Sequence, residues 1–334
     1  MAMRIALDAM GGDKAPEAIV DGAFEAAQEA DGRFELILVG RKDALERYIS
    51  ESGYSTENIE IVHAPDIIGM SESPATAIRR KREASIVVAT RLHKEGRADA
   101  VVSAGNTGAA VASSLLSLGR MPGIDRPAIA LFFPSRNGGT IVLDGGANSD
   151  NVPMHLEQFG YMGAAYAELI LGRIDPKVGL LNIGEESSKG SELTREAHEL
   201  LAASGLNFTG NVEGRDVIAG KVDVVVTDGF TGNVLLKFAE SIAHYFGSVI
   251  KEGIAGSLRA KVGGMFLKPV LSNMGKSLDY AEYGGMPLLG IDGVTIIGHG
   301  GSGAKAVKNA VLAAERFVEL GVNESIKDRI KETQ

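Results

Sequence analysis

The sequence predicts an α/β fold, three αβα layers around a mostly parallel sheet, and three observations carry that expectation. Short β-branched runs alternate with longer helical patterns along the chain, as parallel strands joined by helical crossovers do. Several runs, such as Val224-Val-Val226 and Ile141-Val-Leu143, are apolar without alternation, which is how strands read when helices cover both sheet faces. Five apolar segments end in a short loop of Gly, Asn, Asp, Ser or Thr, and a helix follows most of them. These loops are Asp8-Ala-Met-Gly-Gly-Asp13, Ser103-Ala-Gly-Asn-Thr-Gly108, Asp144-Gly-Gly-Ala-Asn148, Thr227-Asp-Gly-Phe-Thr-Gly-Asn233 and Gly298-His-Gly-Gly-Ser-Gly303. In open α/β sheets the strand-to-helix edge is where ligands bind, and glycine with a helix N-terminus suits an anion there.

Taken in order, the N-terminus enters a strand directly at residues 4–8, and a helix over 16–30 follows the first glycine loop. A strand at 35–39, a helix at 43–51 and a strand at 59–63 continue the alternation. The next helix, 74–94, starts with Ser73 as N-cap and Pro74 in the first helical position. Strand 100–103 runs through the second loop into helix 107–118, and strands 128–133 and 140–144 lead to the third loop. Asp150 or Asn151 before Pro153 signals helix 153–171. Strand 178–183, helix 191–203 and strands 207–209 and 223–227 precede the fourth loop and helix 233–250. Strand 294–298 and helix 302–319 close the pattern.

With no repeat, low-complexity tract or Pro/Ser-rich linker, residues 1–334 read as a single α/β catalytic unit. Residues 233–283 break its rhythm, being helical with no strand candidate. Within them, the stretch 251–276 sets Lys251, Arg259, Lys261, Lys268 and Lys276 against one acid, Glu252, with apolar residues from Ile254 to Met274 interleaved. A helical projection contacting a dimer partner, a membrane surface or both is expected there.

The 43 glycines are close to twice the average share of about 7%, and much of the excess sits in the five loops. A net charge of −9 argues against a general nucleic-acid binder. The absence of cysteine removes disulfides, thiolate metal sites and a cysteine nucleophile. The histidines show no metal-ligand spacing, and neither a metal nor a cofactor is expected. With no signal-peptide core and no apolar run near ~18 residues, the expectation is a cytoplasmic protein whose membrane contact is peripheral.

Several motifs carry competing readings. Gly298-x-Gly300-x-x-Gly303 formally matches the dinucleotide fingerprint, but no second strand follows to complete a βαβ unit, so an anion at that helix start asks for less. His299 either donates to an oxyanion and shuttles a proton or bonds its own loop. Asn106 and Thr107, between Gly105 and Gly108, either face a ligand or cap a helix, and the two are compatible. Lys189 either pairs with phosphate or sits in a solvated turn; Asp228 and Asn233, beside Gly229 and Gly232, divide in the same way. Arg79-Arg-Lys-Arg82 is either a solvated helix face or a dock for an acidic protein. No P-loop, His-Glu-x-x-His or Gly-x-Ser-x-Gly occurs, since Met274-Gly-Lys-Ser277 lacks the first P-loop glycine.

In this order the motifs resemble the bacterial phosphate acyltransferase family of phospholipid synthesis, the acyl-[acyl-carrier-protein]:phosphate acyltransferases. The matching stretches include Asp8 to Asp13, Glu72-Ser-Pro-Ala75 on to Arg79-Arg-Lys81, Ser103 to Ala109, Leu143-Asp144 with Gly146-Ala-Asn148, Gly179 to Asn182 and Lys189-Gly190, Val225 to Val234, Tyr283-Gly-Gly285 and His299-Gly300. The family's last motif looks more like His-Gly-Ser-Ser, which makes the dinucleotide pattern incidental.

The resemblance implies a fold similar to phosphotransacetylase and to the isocitrate and isopropylmalate dehydrogenases. It implies a homodimer in which inorganic phosphate attacks a long-chain thioester on acyl carrier protein. Acyl phosphate then passes to a membrane-bound glycerol-3-phosphate acyltransferase. Phosphate is already nucleophilic, so the site must position it and stabilise an oxyanion. The catalytic residues expected are Asn106, Thr107, Asp228 and His299. Those expected to bind phosphate or substrate are Gly105, Gly108, Asn148, Lys189, Gly229, Asn233 and Ser302. Arg79, Arg80, Lys81 and Arg82 would dock the acidic carrier. The alternatives are a phosphotransacetylase-like acyl-CoA transferase, an isopropylmalate-type NAD-dependent dehydrogenase and a non-catalytic scaffold.

Overall fold

The computed structural model describes residues 2–278 and 280–332, with side chains except at 258, 272–274, 276–278 and 280. Among these residues the strands are β1 (Met3–Asp8), β2 (Phe34–Gly40), β3 (Ile59–His63), β4 (Ala100–Ser103), β5 (Ala128–Phe133), β6 (Thr140–Leu143), β7 (Val178–Leu181), β8 (Phe208–Val212), β9 (Val224–Val226), β10 (Met286–Leu289) and β11 (Thr295–Ile297). The helices up to β8 are α1 (Glu17–Ala30), α2 (Lys42–Ser52), α3 (Pro74–Arg80), α4 (Ser85–Lys94), α5 (Thr107–Ser117), α6 (Pro153–Leu171) and α7 (Glu192–Ala203). After β8 come α8 (Gly214–Ala219), α9 (Gly229–Ala255), α10 (Leu258–Leu278), α11 (Ala304–Glu319) and α12 (Val322–Lys331).

All strands join one sheet in the order β3-β2-β1-β4-β11-β10-β5-β6-β9-β7-β8. Pairing is parallel except where β10 meets β11 and β5 and where β5 meets β6. The sense of the sheet therefore changes in its middle. β1, β4 and β11 run one way, and β6, β9 and β7 run the other.

Each inner strand feeds two cores, which accounts for the apolar runs. Ile5, Leu7, Leu36, Leu38, Ile141, Leu143, Val224 and Val226 face a core with α1, α6, α11 and α12. Ala6, Ile37, Val39, Val142 and Val225 face a second core with α3, α4 and α5. Side chains of successive strand residues point to opposite faces, so a strand covered on both sides cannot alternate. The three-layer αβα reading holds.

The expected helix 74–94 is two helices. After Arg80 the chain leaves helical geometry at Lys81 (φ −108°, ψ 68°), and Asp66 pairs with Ala84 before α4 begins. The turn is stabilised from outside the segment, where Lys81 Nζ donates to Ile67 O at 2.7 Å and to Glu72 Oε1 at 2.6 Å. β10, α8 and α12 are additions to the sequence reading, and α9 begins at Gly229 rather than at residue 233.

Candidate active site

The five glycine loops fall into two groups, one for each strand sense. In the first, adjacent parallel strands β1, β4 and β11 deliver residues 8–13, 103–108 and 298–303 side by side. These loops are tied by backbone bonds, from Asp13 N–H to Gly300 O at 2.8 Å and from Gly298 N–H to Ser103 O at 2.8 Å. At their centre lies Asp8, buried at the carboxyl end of β1 and accepting from Ser103 Oγ at 2.7 Å. Ser103 Oγ in turn accepts from Gly105 N–H at 3.1 Å. Burial pushes the Asp8 carboxyl above the usual aspartate value, against the pull of the Ser85 and Ser103 hydroxyls.

Asn106 is the N-cap of α5, its Oδ1 accepting from Ala109 N–H at 3.0 Å. Its Nδ2 donates to the carbonyls of Gly69, Met70 and Glu72 at 3.3, 3.0 and 3.1 Å. One side chain thus fixes both the start of α5 and the segment 69–72 that lies over it. That segment has a second anchor in Glu72, which accepts from Gly69 N–H at 2.7 Å and from Lys81. The Lys81 ammonium holds the Glu72 carboxyl below its ordinary value. Gly108 allows this packing, because a methyl group there would lie 2.5 Å from Pro74 Cγ.

Thr107 and Gly108 occupy the first turn of α5, and Thr107 is exposed. α11 starts from the neighbouring strand β11 and packs on the opposite sheet face, after Gly303, an N-cap without a side-chain acceptor. Among the described residues no protein acceptor meets the backbone N–H of Thr107, Gly108, Gly303 or Ala304. His299 is exposed, and its Nδ1 accepts from Gly301 N–H at 3.1 Å, which leaves the proton of the neutral ring on Nε2. Ser302 is only 3% exposed and faces Leu7, Val102 and Val307 in the core.

The second group belongs to β6 and β9. Asp144 is buried at the end of β6 and accepts five hydrogen bonds. Oδ1 takes those of Ile129, Gly146 and Ala147 N–H at 2.9, 3.1 and 3.0 Å, and Oδ2 takes Asn148 N–H and Nδ2 at 2.9 and 2.8 Å. Burial pushes this carboxyl up while its donors oppose that. The Asn148 amide also donates to Pro127 O at 2.7 Å. α9 seats on this loop through glycine: a methyl group on Gly229 would lie 2.2 Å from Asn148 O, and one on Gly232 would lie 1.9 Å from Asp144 O. Asp228 caps α9, one oxygen accepting from Thr231 N–H at 2.8 Å and the other from its hydroxyl at 2.6 Å. Asn233 is exposed, with Cβ against Gly146.

The expected site residues therefore separate. Gly105, Asn106, Thr107, Gly108, His299 and Ser302 share the first group; Asn148, Asp228, Gly229 and Asn233 share the second. Lys189 is exposed in the loop after β7, on the strand sense of the second group. Arg79, Arg80 and Arg82 are exposed at the end of α3 with no acidic partner among the described residues, whereas Lys81 is bound to Glu72. Asp8 and Asp144 were not singled out as site residues. Their signal was an aspartate closing an apolar strand and opening a glycine loop, and their burial is what gives it meaning.

Charge differs between the groups. In the first, two helix N-termini present unpartnered N–H groups, the arrangement that binds anions. In the second, loop donors turn inward onto Asp144, and Asp228 occupies the helix start.

α9 leaves the second group and travels outward. Only Gly229 and Gly232 of its described residues are buried, and Phe230, Val234, Phe238, Ile242, Phe246 and Val249 form an exposed stripe at helical spacing. α10 exposes Val262, Met265, Phe266, Leu267 and Val270 beside Arg259, Lys261 and Lys268. The side chains of Leu258, Met274 and Lys276 lie outside the described residues. Among the described residues no helix is long and apolar enough to cross a membrane.

Comparison with known proteins agrees with this architecture. The profile of a family described as fatty acid synthesis protein matches residues 3–325. The phosphate acyltransferase of Heliobacterium modesticaldum is 54% identical over 329 residues, 98% of each chain. That of Geobacter sulfurreducens is 47% identical over 98% of this chain and 94% of its own. Among solved structures, a phosphotransacetylase from Streptococcus pyogenes aligns with TM-score 0.63 at 17% identity, covering 99% of this chain and 94% of that one. The 4-hydroxythreonine-4-phosphate dehydrogenase of Klebsiella pneumoniae aligns at 0.53 and 13% identity over 95% and 98%. These two likenesses concern the fold alone.

Proposed function

This chain belongs to the phosphate acyltransferase family of fatty acid synthesis proteins, and on that premise we propose that it moves a long-chain acyl group from acyl carrier protein to inorganic phosphate. The observation that carries the choice of site is the pair of helix starts, α5 and α11, with unpartnered N–H groups beside an exposed histidine. Phosphate seats there on Thr107 and Gly108 N–H. A phosphate oxygen attacks the thioester carbonyl, a tetrahedral oxyanion forms, and the C–S bond breaks. The proton lost by hydrogen phosphate goes to the departing sulfur, so acyl phosphate and carrier thiol balance the reaction. His299, with its proton on Nε2, hydrogen-bonds the oxyanion and keeps that proton throughout.

Asn106, Gly105 and Ser302 act by fixing these loops, and Asn148, Asp228, Gly229 and Asn233 by fixing the start of α9. We assign Lys189 to the substrate's approach rather than to the reacting phosphate. Arg79, Arg80 and Arg82 fit the acidic carrier, and opposite charges there would speed association. The α9 stripe fits a second copy of the chain, and the apolar and cationic face of α10 fits an anionic membrane surface. The unit would work in the cytoplasm and pass acyl phosphate to a membrane-bound glycerol-3-phosphate acyltransferase.

The test offers palmitoyl carrier protein and acetyl-CoA in parallel, each with phosphate. Phosphate-dependent loss of the palmitoyl thioester supports the reading; preference for acetyl-CoA supports the phosphotransacetylase-like alternative, and an inert enzyme rejects both. Phe238→Glu should give monomers. Phe266→Glu should abolish flotation with anionic vesicles while the dimer persists, and undiminished flotation would remove the membrane assignment.

A further inference from the structure

Apart from its polar loops, the first group carries one large apolar side chain that is exposed. Met70 is 42% exposed, whereas the neighbouring Met10 and Ile68 are buried. Its main chain is held firmly. The Met70 carbonyl accepts from Asn106 Nδ2 at 3.0 Å, the turn closes from Glu72 N–H to Gly69 O at 3.1 Å, and Glu72 with Lys81 pins the flanks. Its side chain reaches the loop after β11, where a methyl group on Gly300 would lie 2.4 Å from Met70 Cε and 3.7 Å from Sδ. A thioether side chain is thus fixed at its root, partly exposed along its length, and laid between the start of α5 and the residue after His299.

Such a placement has a chemical consequence. If phosphate sits on the first turn of α5, the thioester carbonyl carbon must come within about 3–3.5 Å of a phosphate oxygen. The first methylenes of the acyl chain then pass within a few ångströms of α5. Among the described residues of the first group's loops and of segment 69–72, Met70 is the large hydrophobic side chain that stays exposed. We propose that Met70 is the acyl-contact residue of this site, the wall against which the chain next to the thioester packs. Methionine suits that role, since an unbranched, polarizable side chain adapts to a flexible hydrocarbon. Gly300 is what admits Met70 to this position, because any side chain at 300 would meet the thioether tip.

The inference rests on the acyl-carrier reading, and the experiment separates the two. Initial rates are measured for wild type, Met70→Ala, Met70→Leu and Gly300→Ala with palmitoyl carrier protein, with acetyl carrier protein, and over a range of phosphate concentrations. Met70→Ala should lower kcat/KM for the palmitoyl donor roughly tenfold, the size of a lost methylene-scale contact. It should leave the acetyl donor and the phosphate KM within about twofold. Met70→Leu should restore most of the loss, and Gly300→Ala should reproduce the Met70→Ala pattern by displacing the tip. Equal losses on both donors, or a raised phosphate KM, would mean that Met70 only braces the loop and would overturn the proposal. A wild type that forms no acyl phosphate would instead overturn the reading on which it rests.

Discussion

Asn106 does two jobs that substitution can separate. Alanine removes the cap on Ala109 N–H, worth about 1 kcal/mol, and the amide bonds to Gly69, Met70 and Glu72. Nδ2 has two hydrogens to share among three partly solvated carbonyls. A net value of ~0.5–1 kcal/mol per hydrogen is reasonable, giving a total near 2–3 kcal/mol. Serine keeps the cap and loses the amide, so it should cost about 1–2 kcal/mol. Aspartate also keeps the cap, but its second carboxylate oxygen would face the Gly69, Met70 and Glu72 carbonyls that now accept from Nδ2, so it should cost at least as much as alanine. With an unfolding entropy near 0.7 kcal/mol/K for 334 residues, each kcal/mol moves Tm by about 1.5 °C. Calorimetry should therefore rank wild type first, then serine, with alanine and aspartate last.

Phosphate affinity should rank differently. A carboxylate at the mouth of α5 repels the dianion that the helix start is there to hold, and a close like charge costs on the order of 1–4 kcal/mol at intermediate dielectric. Asn106→Asp should then show the largest rise in phosphate KM, tenfold or more above that of the uncharged Asn106→Ala. An aspartate variant that binds phosphate as well as the comparably destabilised alanine variant would refute an anion site at this helix.

Other substitutions probe the frame. Asp144→Asn turns an amide NH₂ toward N–H groups that now meet a carboxylate, and should cost about 3–5 kcal/mol in chemical denaturation; a loss under 1 kcal/mol would contradict the five-bond description. Gly232→Ala puts a methyl group 1.9 Å from the Asp144 carbonyl, and should destabilise by at least ~1–3 kcal/mol by calorimetry as α9 is pushed off its seat. His93 donates from Nδ1 to Ala98 O and accepts Val294 N–H at Nε2, each at 2.8 Å, and burial lowers its affinity for a proton. As pH falls through about 6.5 the unfolded chain takes up a proton that the folded His93 resists. Stability present above that pH should therefore be lost on acidification, and His93→Gln should flatten this part of the Tm–pH curve.

The sequence made most of the fold legible because its strands are buried on both faces. β3, β4 and β5 have the bounds that their apolar runs suggest. β10 escaped because Met286-Pro-Leu-Leu289 carries a proline, normally a sign against a central strand, and is flanked by Gly285 and Gly290. α12 offered only Val322, Ile326 and Ile330 in a polar segment, a thin stripe that gains meaning from its burial against α6. The break after Arg80 could not be read locally, since its cause is the reach of Lys81 to Ile67 and Glu72. At the site, composition marked all five loops alike. Their division into two groups depends on the reversal of strand sense across β10, β5 and β6, which no local motif encodes.

The most direct test of the account is a crystal of this protein soaked in phosphate and analysed by difference density. A tetrahedral anion is expected at the first turn of α5, within hydrogen-bond distance of Thr107 and Gly108 N–H. An anion seated on the 144–148 loop and the start of α9, with none at α5, would contradict it.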